Sequence, residues 1–476
     1  MMVIFIVVLG LGVVGWRMYK TGKLQEALVQ KLGSRVFEKQ EEMNLVYQAL
    51  GFKEPRTYLV LFLNNTEMRP GGGFIGAYAA VRVDKGTPHI LKVEGTEILD
   101  NRAPRNVSSP PPEALKKYLY IERWNFRDSN WSPDFASSAA KAMELYALEN
   151  GTAASEITGV IGITPTVLQE VLRLSGPVRV GGELYTADNV VQKLEYEVEY
   201  GYARRGISFD DRKKVLADMT HALVSRLRYD VFRNWSKYLG LAGGMAKEKH
   251  IIVFALEPDT QRVLMLKNWA GTMKSADGDY LLWADANLAS LKTDLAMDRE
   301  LSYSITPTSS GRAVISAGYM AKVKMKYIHK GKFDQFTTRY RTYARVYTPM
   351  GTVFYKVKGS LRNDRTTDPG TVDQGVENGR QWFGAFISIE PGKTGELEWQ
   401  FYLSPRVSDQ IRAGTYKLLA QKQIGTIANG LTLNLNFGKK VIFASPGEPQ
   451  DQHGDTQYRI AADLREDREF EVKLDD

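Results

Sequence analysis

Near Glu300 the sequence changes texture, and that change limits what the chain can fold into. Before it, apolar runs of strand length alternate with stretches of helical periodicity. After it, helical periodicity disappears and β-type segments recur at regular intervals, among them Leu301–Ile305, Ala313–Ala317, Ala321–Ile328, Tyr340–Tyr347, Trp382–Ile389 and Leu431–Phe437. Turn signals such as Met350-Gly351, Pro391-Gly392 and Ala413-Gly414 separate them. Strands alternating with helices predict an α/β layer over 53–298. Short strands at even spacing predict an antiparallel β-sandwich over 299–476.

Composition is ordinary for a globular chain, at 43% hydrophobic and 25% charged. The net charge of +8 is spread along the sequence without a Lys/Arg block, so no nucleic-acid partner is expected. A basic surface facing anionic lipid or a phosphorylated substrate fits that charge. With no cysteine, disulfides and thiolate metal sites are excluded. The five histidines stand far apart, without ligand spacing. A hard cation such as Mg²⁺, held by carboxylates beside a phosphate, is the cofactor the composition leaves open. Glu67, Asp100, Asp128, Asp134, Asp210 and Asp211 are the candidate ligands.

Met1–Trp16 is an uninterrupted apolar run followed by Arg17 and Lys20. With Met18 and Tyr19 it approaches the ~20 residues that span a bilayer. It lacks the basic start and small-residue cleavage site of a signal peptide. It reads as an uncleaved anchor over 1–19, followed by a helical stalk over 20–52. The expected placement is a single-pass membrane protein with its main domains extracytoplasmic. Arg17, Lys20 and Lys23 would by the positive-inside rule hold the following chain in the cytoplasm, so that placement needs a basic flank ahead of Met1.

The strongest site candidate lies between two predicted strands. Tyr58–Leu63 is an apolar run, and Ala77–Val83 alternates like a second strand. Between them stand Asn64, Asn65, Thr66, Glu67, Arg69 and Pro70, then three glycines. Gly71, Gly73 and Gly76 satisfy G-x-G-x-x-G, but a dinucleotide loop must open a helix, and a strand follows here. The glycines then supply positive φ in a tight connection, or bring backbone N–H groups to an anion. Glu67, Arg69, Asp128 and Asp134 are the candidate catalytic residues. A second charged segment, YARRGISFDDRKKVL, offers Arg204, Arg205, Asp211 and Arg212 beside an expected helix over Asp210–Leu227. Cations at a helix start oppose its dipole, and a bound phosphate or diphosphate would offset that. Asn64 and Asn65 complete the candidate ligand-binding set; a solvated charged face is the plain alternative.

NNTEMRPGGGFIG, RDSNWSPDF, GVIGITPTVLQEVLRLSGPV and LWADANLASLKTD together resemble the bacterial domain-of-unknown-function family 4012 over most of residues 40 to 445. That resemblance implies a membrane-anchored envelope protein and assigns no activity. A more distant resemblance is to the LytR-CpsA-Psr family, which transfers glycopolymers from a polyprenyl-diphosphate carrier to the cell wall. The short anchor, the order of strands and Tyr202-Ala203-Arg204-Arg205 followed by Asp211 and Arg212 are similar to it. The chain departs from that family at Gly72-Gly73-Phe74, where an acidic residue would open the second strand. Its Ile-Pro-Arg-Asp motif has no match; Glu97-Ile98-Leu99-Asp100 stands near that place, with Arg102 just after. The resemblance implies a LytR-CpsA-Psr-like layered sheet. The leading expectation is an envelope protein whose α/β domain binds or transfers a polyprenyl-diphosphate-linked glycan, with Arg69, Arg204, Arg205 and Arg212 on the diphosphate and Glu67, or Asp128 and Asp134, holding Mg²⁺ or acting as base. The alternative expectation is a non-catalytic surface protein whose sandwich binds a partner or cell-wall glycan. On that alternative, the polar groups of the 64–69 loop are engaged within the protein itself.

Overall fold

The computed structural model describes residues 40–104, 109–208, 212, 214–308, 318–452 and 454–475. The expected anchor, most of the stalk, the expected strand Ala313–Ala317, and Asp210 and Asp211 lie outside them. Among the described residues, no helix is long and apolar enough to cross a membrane. The molecule is mixed α/β, with several sheets and a β-rich C-terminal half.

The chain divides into two compact units. The first takes Met1–Asn64, Phe74–Pro110 and Arg123–Thr272; the second takes Asn65–Gly73, Pro111–Glu122 and Met273–Asp476. Two short segments that the sequence places inside the α/β layer thus fold with the C-terminal part.

In the first unit, β1 (Arg56–Asn64), β2 (Phe74–Asp84), β3 (Thr87–Gly95), β4 (Ile157–Ile163) and, after the small hairpin β5 (Val178–Val180) and β6 (Glu183–Tyr185), β7 (Ile251–Ala255) supply its strands. Five of them form a sheet in the order β3-β2-β1-β4-β7. Only β1 and β4 are parallel; the other pairs are antiparallel. β1 is the central strand, and Tyr58 to Leu61 are buried in succession because both of its faces are covered. Tyr58 and Val60 pack in a cluster with Val167 and Val171 of the helix Pro165–Ser175 and with Tyr238, Ala242 and Met245 of the helix Lys214–Lys247. Gly162 of β4 permits close approach, since a Cβ there would lie 2.8 Å from the side chains of Leu63 and Ile252. The long helix outruns its expected end at Leu227 by twenty residues, broken by a kink at Asn234 with φ −118° and ψ 27°.

The second unit holds two sheets. The strands β8 (Asp279–Asn287), β9 (Met297–Pro307), β10 (Tyr319–His329), β11 (Tyr340–Pro349), β12 (Val353–Lys358), β13 (Asp373–Glu377) and β14 (Arg380–Ile389) come first. They are followed by β15 (Thr394–Tyr402), β16 (Thr415–Gln421), β17 (Gly430–Asn436), β18 (Val441–Ser445), β19 (Gln457–Asp463) and β20 (Arg468–Leu474). One sheet runs β13-β14-β11-β8-β16-β20-β18 and the other β12-β15-β10-β9-β17-β19. Their inner faces share one apolar cluster, with Ile305, Val323, Trp399 and Leu433 from the second sheet and Val346, Phe383, Tyr416 and Val472 from the first. Pairing is antiparallel except for β8 with β16 and β9 with β17, which are parallel. β8 carries the Tyr280–Trp283 segment expected in the α/β layer; it pairs with β11 and β16, and all nine of its residues are buried.

Candidate functional site

The glycine-rich loop leaves β1 at Asn64, whose Nδ2 donates to Glu195 Oε1 at 2.9 Å. From Asn65 the chain belongs to the second unit. Asn65 Nδ2 donates to the Gly425 carbonyl at 2.9 Å. Gly72 and Gly73 take φ of 120° and 132°, the region that favours glycine. Gly425 passes so close that a Cβ on it would lie 2.2 Å from the Gly72 carbonyl oxygen. β2 then begins at Phe74, so no helix N-terminus follows the glycines.

Arg69 is only 3% exposed. Its Nη1 donates to the Asn287 carbonyl at 2.6 Å, and its Nη2 lies 3.4 Å from Glu67 Oε1. Glu67 Oε2 meets Lys292 Nζ at 3.2 Å. The Met68 amide donates to Asp294 Oδ2 at 2.9 Å, and Met68 accepts in return from the Asn287 amide at 2.9 Å. Asp294 also pairs with Arg299, whose Nε lies 3.1 Å from Asp285 Oδ2. Asp285 Oδ1 accepts from the Tyr327 hydroxyl at 2.6 Å and from Thr342 at 3.1 Å. The NNTEMRPGGG and LWADANLASLKTD motifs therefore interlock: one supplies Glu67 and Arg69, the other Asp285, Asn287, Lys292 and Asp294. Buried charges are tolerated where each has an opposite partner and further hydrogen bonds. This cluster meets that condition.

The other sequence candidates fall within the first unit. Asp134 caps the helix Phe135–Leu148, accepting from the Ser137 amide at 2.9 Å and the Ser137 hydroxyl at 3.0 Å. Asp128 is buried in the 3₁₀ turn Phe126–Asp128, and its carbonyl accepts from Trp124 Nε1 at 2.9 Å. Arg204 stands over the Tyr196 ring at 5.7 Å, and Arg205 pairs with Glu197. Arg212 Nη2 lies 2.8 Å from Glu97 Oε1 on the helix Thr96–Arg102. No group of three or more metal-ligating side chains is assembled among the described residues.

That same short helix carries a group that local patterning did not single out as one of a pair. Asp100 is 6% exposed and stands beside Glu149, itself 3% exposed at the end of the helix Phe135–Leu148. Arg127 Nε stands 2.9 Å from Asp100 Oδ2. Glu149 Oε1 accepts from the Phe126 amide at 3.0 Å and faces Arg123 Nη2 at 3.3 Å. Burial, then the Glu149 charge, pushes the Asp100 carboxyl up to about 8 against the pull of Arg127. Burial beside Glu149 thus favours the protonated form of Asp100. Beside them a cavity of about 180 Å³ is lined by Tyr78, Glu94, Leu99, Arg102, Glu149, Asn150 and Thr152. Glu94 Oε1 accepts from the Tyr78 hydroxyl at 2.5 Å and pairs with Arg102. Asp100 stands among the sequence candidates for a cation, whereas nothing local marks Glu149, forty-nine residues later.

No curated protein matches the sequence. Among solved structures, an M1 zinc metallopeptidase from Deinococcus radiodurans aligns at 11% identity over 37% of this chain and 42% of its own, with a TM-score of 0.19. A mutant form of that enzyme bound to a Tyr-ser-ala substrate aligns at 8% identity over 38% and 43%, with a TM-score of 0.16. The chain thus spans less than half the length of either structure. Residues 53–199, which hold β1 to β6, the Asp134-capped helix and the Asp100–Glu149 pair, match the family described as "Protein of unknown function (DUF4012)".

Proposed function

We propose that the protein is a membrane-tethered, extracytoplasmic component of the cell envelope that works by binding. In this reading the C-terminal β-sandwich holds a glycan or protein partner. The supporting observation is that Glu67 and Arg69, the most conspicuous polar groups of the sequence, are tied to Lys292 and Asn287 within their own unit. Arg69→Ala is the test. Removal of a buried, charged hydrogen-bond donor costs about 2 kcal/mol, so denaturant melts should shift while binding to polyprenyl-diphosphate analogues stays as in the parent. An unchanged melt with lost analogue binding would instead make Arg69 a ligand-binding residue. Protease added outside intact cells should cleave the sandwich; full protection there would refute the extracytoplasmic placement.

A second reading is transfer of a polyprenyl-diphosphate-linked glycan by a LytR-CpsA-Psr-like α/β unit, with Mg²⁺ as the metal. The Asp100–Glu149 pair favours it, because a carboxyl held neutral beside a cavity is suited to proton transfer. Glu149→Gln should abolish transfer of a lipid-linked glycan if that chemistry exists; a protein inactive before the substitution removes the reading.

A further inference from the structure

The outer face of the six-stranded sheet carries a row of side chains that the interior packing does not use. On β10, Tyr319, Ala321, Val323, Met325 and Tyr327 are buried, which turns Lys322, Lys324 and Lys326 outward. The strand registers align Lys356 with Gln400, Gln400 with Lys322, Lys322 with Ser304, Ser304 with Asn434, and Asn434 with Arg459. One line of six side chains thus crosses all six strands. At the spacing of neighbouring strands it is roughly 24 Å long. Its members are cations or neutral hydrogen-bonding groups, and none is a carboxylate.

The flanking rows differ. Lys324 is answered by Glu396 at 3.2 Å and Lys326 by Glu300 at 2.9 Å. Beside the row itself, Glu398 takes Lys322 at 3.9 Å, Lys358 at 3.7 Å and Gln400 Nε2 at 2.7 Å. Arg459 meets Asp455 at 2.7 Å. Three cations thus stand on the line, Lys322, Lys356 and Arg459, and two carboxylates beside it take Lys322 and Arg459. Exposed pairs of this kind are worth little, so an external anion can replace them. At the β12 end two aromatic rings adjoin the row. Tyr402, two positions beyond Gln400 on the same face, meets Tyr355 at 5.8 Å between centroids, and Tyr355 is 48% exposed.

We propose that this row binds one strand of an acidic polysaccharide lying across the β-strands. Lys322, Lys356 and Arg459 would meet its anionic groups, Gln400, Ser304 and Asn434 its hydroxyls, and Tyr355 with Tyr402 would stack on a sugar ring. Charge complementarity commits the face to an anionic occupant. Neutral hydrogen-bonding side chains between the cations, with aromatic rings at one end, favour a sugar chain over a lipid surface. The inference rests on the binding reading above and names its ligand class.

The test titrates the full-length protein with polygalacturonate, with uncharged dextran and with polyphosphate. Polygalacturonate should bind, and Lys322→Ala with Lys356→Ala should weaken it about tenfold. Tyr355→Ala with Tyr402→Ala should weaken it comparably, with thermal melts unchanged in both. Polyphosphate binding that ignores the tyrosines and matches polygalacturonate would reduce the row to a cation patch and overturn the proposal. Phosphatidylglycerol vesicles held through the lysines, with no polygalacturonate bound, would assign the face to lipid and overturn it too. Polygalacturonate binding untouched by all four substitutions would move the site elsewhere and leave the binding reading standing. A wild type that binds none of the probes refutes this ligand class, and the Arg69 melts and the protease test still judge the broader reading separately.

Discussion

Two buried polar clusters of this protein, around Arg69 and around Asp100, are built on different terms. Around Arg69 and Arg299, cations and carboxylates alternate: Glu67, Asp285 and Asp294 each have a well-buried basic partner. Around Asp100 and Glu149, two carboxyls are buried beside each other with Asp128 nearby, and their basic partners, Arg127 at 2.9 Å and Arg123 at 3.3 Å, are only part-buried. In the first cluster Arg299 and the Tyr327 hydroxyl counter the burial that pushes the Asp285 carboxyl up. In the second, burial and the neighbouring Glu149 charge outweigh Arg127 and favour the protonated form of Asp100. Charge density alone therefore does not mark a site. The conspicuous cluster is an internal tie, and the strongly raised carboxyl lies in the inconspicuous one.

Removing the centre of the compensated cluster should have the largest effect. Arg299→Ala leaves Asp285 and Asp294 without their shared cation and is expected to lower stability by about 3–5 kcal/mol. Urea unfolding followed by circular dichroism measures this, and a loss below about 1 kcal/mol would show that Arg299 does not hold the cluster.

The pair of neighbouring acids should instead reveal itself through pH. The folded chain holds the Asp100 proton up to about 8, whereas an exposed aspartate loses it near about 3.9. The folded state thus binds that proton more tightly, so its contribution is full below about pH 4 and is lost as pH rises through about 8. Asp100→Asn fixes the neutral form. It should raise stability at about pH 9 by on the order of 1 kcal/mol and change little at about pH 4. Parallel pH slopes in the two proteins would mean that Asp100 does not hold its proton into this range.

The smallest effect is expected at Arg205. Its pair with Glu197 is a third exposed on the arginine side, and Arg205→Ala should cost less than about 1 kcal/mol. A larger loss in thermal melts would place this pair with the structural ties and narrow the contrast between the clusters.

Much of the local architecture is legible in the sequence. Asp134 after Ser132-Pro133 marks the helix Phe135–Leu148, and Thr164-Pro165 marks the helix Pro165–Ser175, because capping and proline geometry act over a few residues. The alternation after Gly76 identifies β2 and removes the nucleotide loop. The full length of the helix Lys214–Lys247 is not legible. Asn234 and the glycines at 240, 243 and 244 read as breakers, yet Tyr238, Ala242 and Met245 bury a face in the core that sustains the helix.

The sequence by itself determined the change from α/β to β-rich texture and the composition of the loop from Asn64 to Gly73, since both depend on neighbouring residues and their periodicity. Only the tertiary structure decided which unit that loop joins and which acids meet. Arg69 reaches Asn287 across 218 residues, and Asp100 meets Glu149 through the ends of two separate helices. Contacts at such separations follow from which apolar faces bury together, and no short window of sequence contains both sides of that choice.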